Sequence, residues 1–370
     1  MAGNPFSYSG PLDPADMINR DDEAGELYED LAGGHWVRLS GPRRYGKTTL
    51  FKRVLAQAED AGFATTHVDL EGVNTLAGVV VRIERAYDKS LKGKLRRTVE
   101  ELLKSWGLGV SLGAGGFSLR IQVSPDAEVE GVLLRVLSLP QEVERRTGKR
   151  SMIVFDEVQD LLRVERADGI LRSVIQHQGG VASYAFAGSA PSMMEQLFSD
   201  PRRPLLEQAV PYGLAPLNQG DVARYIAERF ERSGRDAGRA LSPLVEFTRG
   251  HPQRSMLLAH HLWRRTGAGG DADEGTWASA LEAVIERSSE TLEANWRLLN
   301  VNEQKLALAL ATGAPSLYDG PTLARVGLKK GSVRKALSGL RGRGDVVGDP
   351  SHPRLTDPLL EHWLARRAIA

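Results

Sequence analysis

The chain has 370 residues, 41% of them hydrophobic and 26% charged, with 48 Lys plus Arg set against 47 Asp plus Glu for a formal net charge of +1. That balance excludes a uniformly basic, nucleic-acid-coating protein and leaves only local patches to look for. The absence of cysteine excludes disulfides and thiolate metal sites.

The length predicts roughly two or three domains, each able to bury a core. The opening MAGNPFSYSG carries neither a basic leader nor an apolar stretch, and no apolar run approaches the ~18 residues of a membrane span. A soluble, cytoplasmic protein with no membrane partner is the expectation.

From Trp36 to Leu214 short β-rich runs alternate with helical patterns, and HWVRLS, ATTHVDLEG, SMIVFDEVQD, YAFAGS and PYGLAPL are the strand candidates. Alternation of this kind predicts a parallel sheet with helices on both faces. Directly after the first strand stands GPRRYGKTTL, which fits G-x-x-x-x-G-K-[ST] with Gly41, Gly46, Lys47 and Thr48 in the fixed places. The strand before it and the helical TTLFKRVLAQAEDAG after it supply the setting that a phosphate loop requires. Glycines let backbone N–H groups crowd a phosphate, so Gly41, Pro42, Arg43, Arg44, Tyr45, Gly46, Lys47, Thr48 and Thr49 are the expected nucleotide-binding residues. Lys47 would reach the terminal phosphates, and the Thr48 hydroxyl would ligate Mg²⁺.

Between the loop and the next nucleotide motif lies GLGVSLGAGGFSLRIQV, residues 107 to 123. Its glycines do not match a dinucleotide fingerprint. The alternation of Val110 and Leu112, then Phe117, Leu119 and Ile121, predicts a β-hairpin turning at Gly113 to Gly116. It is expected either to contact a partner or nucleic acid or to be a purely structural flap.

SMIVFDEVQD provides the carboxylates. Asp156 would hold the Mg²⁺ shell, and Glu157, directly after it, would polarise an attacking water, as a hydrolase needs and a phosphate transferase does not. YAFAGSAPS then places Ser189 at the end of a strand predicted to lie between the first two, where its hydroxyl reaches the water or the γ-phosphate, or else only makes a turn. The histidines form no metal pattern: His67 sits on a strand, His177 is expected in a helix, and His260 and His261 face different directions on another helix.

From about Asn218 to Asn300 the patterns are helical, in DVARYIAERFERSG, PLVEFTRG, PQRSMLLAHHLWRRTG and TWASALEAVIERS. The remainder reads as helices over Asn302 to Thr312, Pro321 to Val326 and Ser332 to Leu340, two short strands in DVVGDPSHPRLT, and a last helix. Three helices and a hairpin make a winged helix-turn-helix pattern. No acidic residue stands between Gly320 and Gly344, whereas Lys329, Lys330, Arg334 and Lys335 do. These four are the candidate contacts to double-stranded DNA; docking of a protein partner or autoinhibition is the other reading of the same domain.

GPRRYGKTTL, FDEVQD, FAGSAPSMMEQLF, GHPQRSMLLAHHLW and TDPLLEHWLARR, in this order, closely resemble the archaeal-type ATPase family, within the P-loop group of AAA+ and signal-transducing (STAND) ATPases. The opening NPFSYSGPLDPADMINRDDEAGELYEDL is similar to the family's N-terminal segment, which implies an arm near Phe6 to Arg20 beside the adenine. The resemblance implies an α/β P-loop NTPase, an αβα sandwich on a parallel sheet, with a helical lid and a C-terminal winged helix-turn-helix domain. The expected boundaries are 1–35 for the arm and first helix, 36–217 for the ATPase core, 218–300 for the lid and 301–370 for the winged helix.

It also implies that Arg254, in GHPQR, is a sensor arginine directed at the γ-phosphate. Arg202 and Arg203, in FSDPRRPLLEQ, occupy the region of an arginine finger acting on a neighbouring subunit, solvated surface arginines being the alternative. ATP and Mg²⁺ are the implied cofactors and a homo-oligomer the implied assembly. The function expected is an ATP-hydrolysing switch coupling nucleotide state to DNA binding or self-assembly; the other reading is a low-turnover, nucleotide-bound scaffold.

Overall fold

The computed structural model describes residues 3–10, 12–105, 110–113, 116–119, 126–314, 316–349 and 352–369. Its internal contacts divide the chain into two compact units, one of Met1–Asn19, Pro42–Gly46 and Ala215–Ala370, the other of Arg20–Gly41 and Lys47–Leu214.

The second unit contains, in chain order, strands β1 (Val37–Ser40), β2 (Ala64–Asp69), β3 (Val110–Gly113), β4 (Gly116–Leu119), β5 (Ser151–Asp156), β6 (Ala182–Gly188) and β7 (Val210–Gly213). Five of them form one parallel sheet in the order β2-β5-β6-β1-β7. Every residue of the central β5 and β6 is buried, whereas the edge strand β7 is largely exposed. SMIVFD and ASYAFAG are continuous rather than alternating because helices cover a parallel sheet on both faces. Phe155 stacks on Tyr184 and Phe186 across these two strands, with ring centroids 6.1 and 6.0 Å apart. Strands β3 and β4 pair antiparallel with Gly113 opposite Gly116, as the alternation predicts; Ile121 and the turn residues 114 and 115 lie outside the described residues.

Parallel pairing brings the ends of several strands to one edge. Ser40 is in register with Gly188, and Asp69 with Asp156, so the residues that follow β1, β5 and β6 all leave the sheet at its carboxyl end. That edge is where α/β sheets bind ligands. Gly188 permits the approach: a Cβ there would fall 2.2 Å from Met194 Sδ and 2.6 Å from Gln159 Oε1. His177 departs from expectation and stands in a turn, because helix Ala167–Ile175 ends before Gly179 and Gly180, and the adjacent Gln178 amide is drawn to Leu137 O at 2.9 Å.

The first unit is helical, with helices Gln219–Arg232, Leu241–Thr248, Pro252–Arg265 and Glu274–Arg297, then Val301–Ala311, Gly320–Val326 and Lys330–Gly342. A two-stranded antiparallel ribbon, β8 (Val346–Val347) with β9 (Arg354–Leu355), and a closing helix Pro358–Ile369 complete it. Side-chain caps start these helices: Asn218, His251, Asp273 and Asp319 each accept from the first turn, and Asn300 with Glu303 forms a capping box.

Their buried faces share one core, which takes in Phe6 and Ile18 from the N-terminal arm and Leu359 and Leu364 from the closing helix. Phe6 packs against Phe230 with centroids 5.5 Å apart. Among the described residues no helix is long and apolar enough to cross a membrane.

Candidate functional site

Lys47 opens helix Lys47–Asp60, is 6% exposed, and donates from Nζ to Gly41 O at 2.8 Å, closing the neck of the phosphate loop. Arg44 and Gly46 take positive φ angles of 66° and 91°, so the backbone turns its amides in the manner of an anion-binding nest. Next in the helix, Thr48 Oγ1 donates to Asp156 Oδ2 at 2.7 Å. The same carboxylate oxygen lies 3.3 Å from His67 Nε2, which arrives from the neighbouring β2. Burial works against a charge on Asp156, but His67, Thr48 and Lys47 together outweigh it and hold the carboxyl below its ordinary range.

Glu157 follows in the left-handed region, with φ of 50° and its amide N donating to Asp156 Oδ1 at 3.0 Å. A non-glycine residue there carries roughly 1 kcal/mol of strain. The turn aims the Glu157 side chain at the end of β6: its Oε2 accepts from Ser189 Oγ at 2.6 Å and from Gln159 Nε2 at 2.5 Å. The α/β unit thus brings together Lys47, Thr48, Asp156, Glu157 and Ser189, which the sequence singled out separately.

Arg202 and Arg203 are held within the same unit. Arg202 makes a forked pair with Asp200 at 3.0 and 2.8 Å, and this hydrogen bonding draws the Asp200 carboxyl down to about 2. Arg203 reaches the buried Asp168 at 3.0 Å. Both line an open cavity of about 790 Å³ together with Glu130, Arg166, Asp168 and Asp200.

Arg254 lies in the helical unit. Its side chain is 5% exposed and grips Asp357, just before the closing helix, with Nε 2.9 Å from Oδ1 and a second nitrogen bonded to Oδ2. Burial disfavours the charge of Asp357, yet Arg254 outweighs it and keeps the carboxyl below its usual range. Arg44, from the tip of the phosphate loop, belongs to this unit; burial first and the positive charge of Arg254 second lower its pKa. Tyr45 from the same tip meets the His251 ring edge-on at 5.0 Å.

His251 caps helix Pro252–Arg265, and its Nδ1 accepts from Arg254 N at 3.4 Å. That role needs a neutral ring, and burial moves its pKa from 6.5 down to about 4. Between those values the unfolded chain binds more protons than the folded one, so this contribution to stability is complete above pH 6.5 and is lost as the pH falls toward 4. The full effect is at most about 3 kcal/mol. Chemical denaturation at pH 7 and pH 5 is expected to show wild-type stability falling more than that of His251→Asn, which keeps a cap without the titration; equal losses would refute the assignment.

Lys329, Lys330, Arg334 and Lys335 are exposed at the start of helix Lys330–Gly342, whose Val333, Ala336, Leu337 and Leu340 face the core. Three partners of the site escaped sequence reasoning. Gln159 stands in DEVQD only two positions beyond Glu157, His67 read as an ordinary strand residue, and Asp357 sits in TDPLLEHW, where the apolar residues drew attention. The D-P helix start was the one available signal for Asp357.

No protein-family model and no curated protein matches the chain. Solved structures do. A Walker-type ATPase of Pyrococcus abyssi is 15% identical over 97% of this chain and 99% of its own, with a TM-score of 0.70. The ORC2 protein of Aeropyrum pernix, in ADPNP and ADP complexes, is 15% identical over 98% of each chain at 0.60. The ORC1 protein of Aeropyrum pernix in complex with DNA is 18% identical over 98% of this chain and 95% of its own at 0.52. At these identities the likeness is one of fold: along nearly its whole length the chain shares the fold of these structures, with its α/β P-loop part in the unit that holds the parallel sheet.

Proposed function

We propose that this protein binds and hydrolyses ATP and uses its nucleotide state as a switch, coupled to DNA binding or to self-assembly. The observation that carries the reading is the cluster at the carboxyl end of the sheet, where Thr48 and Asp156 meet at 2.7 Å beside Lys47 and Glu157. Two oxygen donors, one of them a carboxylate kept ionised, fit Mg²⁺, and Thr48 and Asp156 would hold it. When bound there, Mg²⁺ would supply positive charge to neutralise the phosphates.

Gly41 to Thr49 cradle the phosphates, and Lys47 exchanges Gly41 O for a phosphate oxygen. Glu157, positioned by Ser189 and Gln159, orients the attacking water. Arg254 senses the terminal phosphate, and the 1–35 arm, the 36–217 core, the 218–300 lid and the 301–370 winged helix are the domains of the switch.

The nucleotide complexes of the Aeropyrum pernix ORC2 protein and the DNA complex of its ORC1 counterpart support both halves of this reading, given the shared fold. So do the exposed Lys329, Lys330, Arg334 and Lys335. Reversing the charge of all four is expected to lower duplex affinity by at least about 100-fold at low salt and to reduce the salt slope by roughly 3.6, one phosphate per residue. Unchanged binding in a salt titration would move the DNA surface elsewhere.

A second reading, a scaffold that holds nucleotide and turns it over little, is favoured by one observation. Arg203 is engaged by the buried Asp168 of its own chain, whereas Arg202, paired with Asp200, remains exposed. ATP turnover per chain, measured over a wide range of protein concentration with and without duplex DNA, separates the two. A specific rate that climbs with either supports the switch and a finger acting between subunits; a low, flat rate refutes it and leaves the scaffold.

A further inference from the structure

The Arg254 fork is fully engaged on both oxygens of Asp357 in a nearly dry setting. A guanidinium offers the same planar fork to a carboxylate and to a phosphate, so an intramolecular carboxylate in that position occupies the place a phosphate would take. Positive charge gathers around it. Arg44 lies within electrostatic reach of Arg254, Asp357 and Arg43. Arg43 and Arg44 belong to the phosphate loop, which ties this cluster to the nucleotide.

Asp357 also anchors its own helix. Oδ1 accepts from Leu359 N at 3.0 Å, and one turn later Glu361 makes a second forked pair with Arg249 at 3.0 and 2.7 Å. The start of the closing helix is therefore fastened to the lid by two carboxylate–arginine forks, of which one uses the sensor arginine.

We infer that Asp357 determines how strongly the protein distinguishes a nucleoside triphosphate from a diphosphate: its carboxylate stands in for the terminal phosphate on Arg254, and triphosphate binding proceeds by exchanging one for the other. The free energy of the Arg254–Asp357 pair is then subtracted from triphosphate binding but not from diphosphate binding. By the same linkage, a bound triphosphate releases one of the two forks that hold the closing helix. This inference rests on the nucleotide-site reading above.

Asparagine caps a helix as well as aspartate does, so Asp357→Asn removes the charge while keeping the bond to Leu359 N. Affinities for a non-hydrolysable ATP analogue and for ADP are to be measured calorimetrically in wild type, Asp357→Asn, Arg254→Ala, the double variant and Lys47→Ala. Asp357→Asn is expected to tighten analogue binding by about tenfold and to leave ADP within about twofold, and the gain is expected to vanish when Arg254 is also alanine. An unchanged ratio of the two affinities, or a gain that survives the loss of Arg254, overturns the inference.

Should Asp357→Asn fail to fold, Asp357→Ser, which also caps, carries the same comparison. Lys47→Ala separates the two levels of the argument. Full nucleotide binding by that variant would refute the site itself, whereas lost binding there with an unchanged ratio in Asp357→Asn would refute only the role of Asp357.

Discussion

Lys47→Ala is expected to weaken nucleotide binding by about 100-fold, because truncating one partner of a buried charge pair costs about 2–5 kcal/mol and each 1.4 kcal/mol is about tenfold. The side chain is 6% exposed and its ammonium is already aimed back over the loop at Gly41 O, 2.8 Å away. A phosphate oxygen in the cradle would replace that carbonyl, a neutral acceptor, with a charged one. The gain is large because little water reaches the ammonium to compete.

The fold has no comparable stake in this residue, since the loop keeps its other backbone contacts, among them Gly41 N with Gly188 O at 3.4 Å. Titration with a fluorescent ATP analogue checks the effect, and a melting temperature near that of wild type confirms that the site alone was lost. Retained tight binding would place the nucleotide elsewhere.

Glu157→Gln should do the opposite, keeping the nucleotide and losing the chemistry. The substitution preserves shape, and a glutamine carbonyl can still accept from Ser189 Oγ, now 2.6 Å from the carboxylate. What disappears is the charge that draws a proton from water, and a general base contributes about 10²–10⁴-fold to a rate. Single-turnover hydrolysis is expected to fall by that factor with the dissociation constant of ATP little changed.

Both Ser189 and Gln159 donate to the same carboxylate oxygen, which fixes the orientation of the Glu157 side chain. Turnover equal in wild type and variant would end the hydrolase reading and leave the scaffold.

Much of this was written locally in the chain. The phosphate loop is legible because its glycines, lysine and threonine serve one backbone conformation over a few residues, and no distant partner is needed to define it. Buried parallel strands are legible as continuous apolar runs, which is why SMIVFD and YAFAG announced the middle of the sheet. Helix starts at Asn218, Asp273 and Asn300 follow from caps lying beside the turns they serve. The basic run from Lys329 to Lys335 is exposed because Val333, Ala336 and Leu337 claim the other face of the same helix.

Pairings between distant segments were decided only by the tertiary structure. His67 meets Asp156 because β2 and β5 are neighbours in register, a fact of strand order that no single strand encodes. Arg254 meets Asp357 across 103 positions of sequence because one hydrophobic core holds both helices. The sequence by itself determined the phosphate-loop motif and where most helices and strands begin, since those depend on backbone conformation and neighbouring side chains. Which carboxylate each buried cation faces was left to the packing, because a buried charge takes whatever partner the folded chain brings within reach.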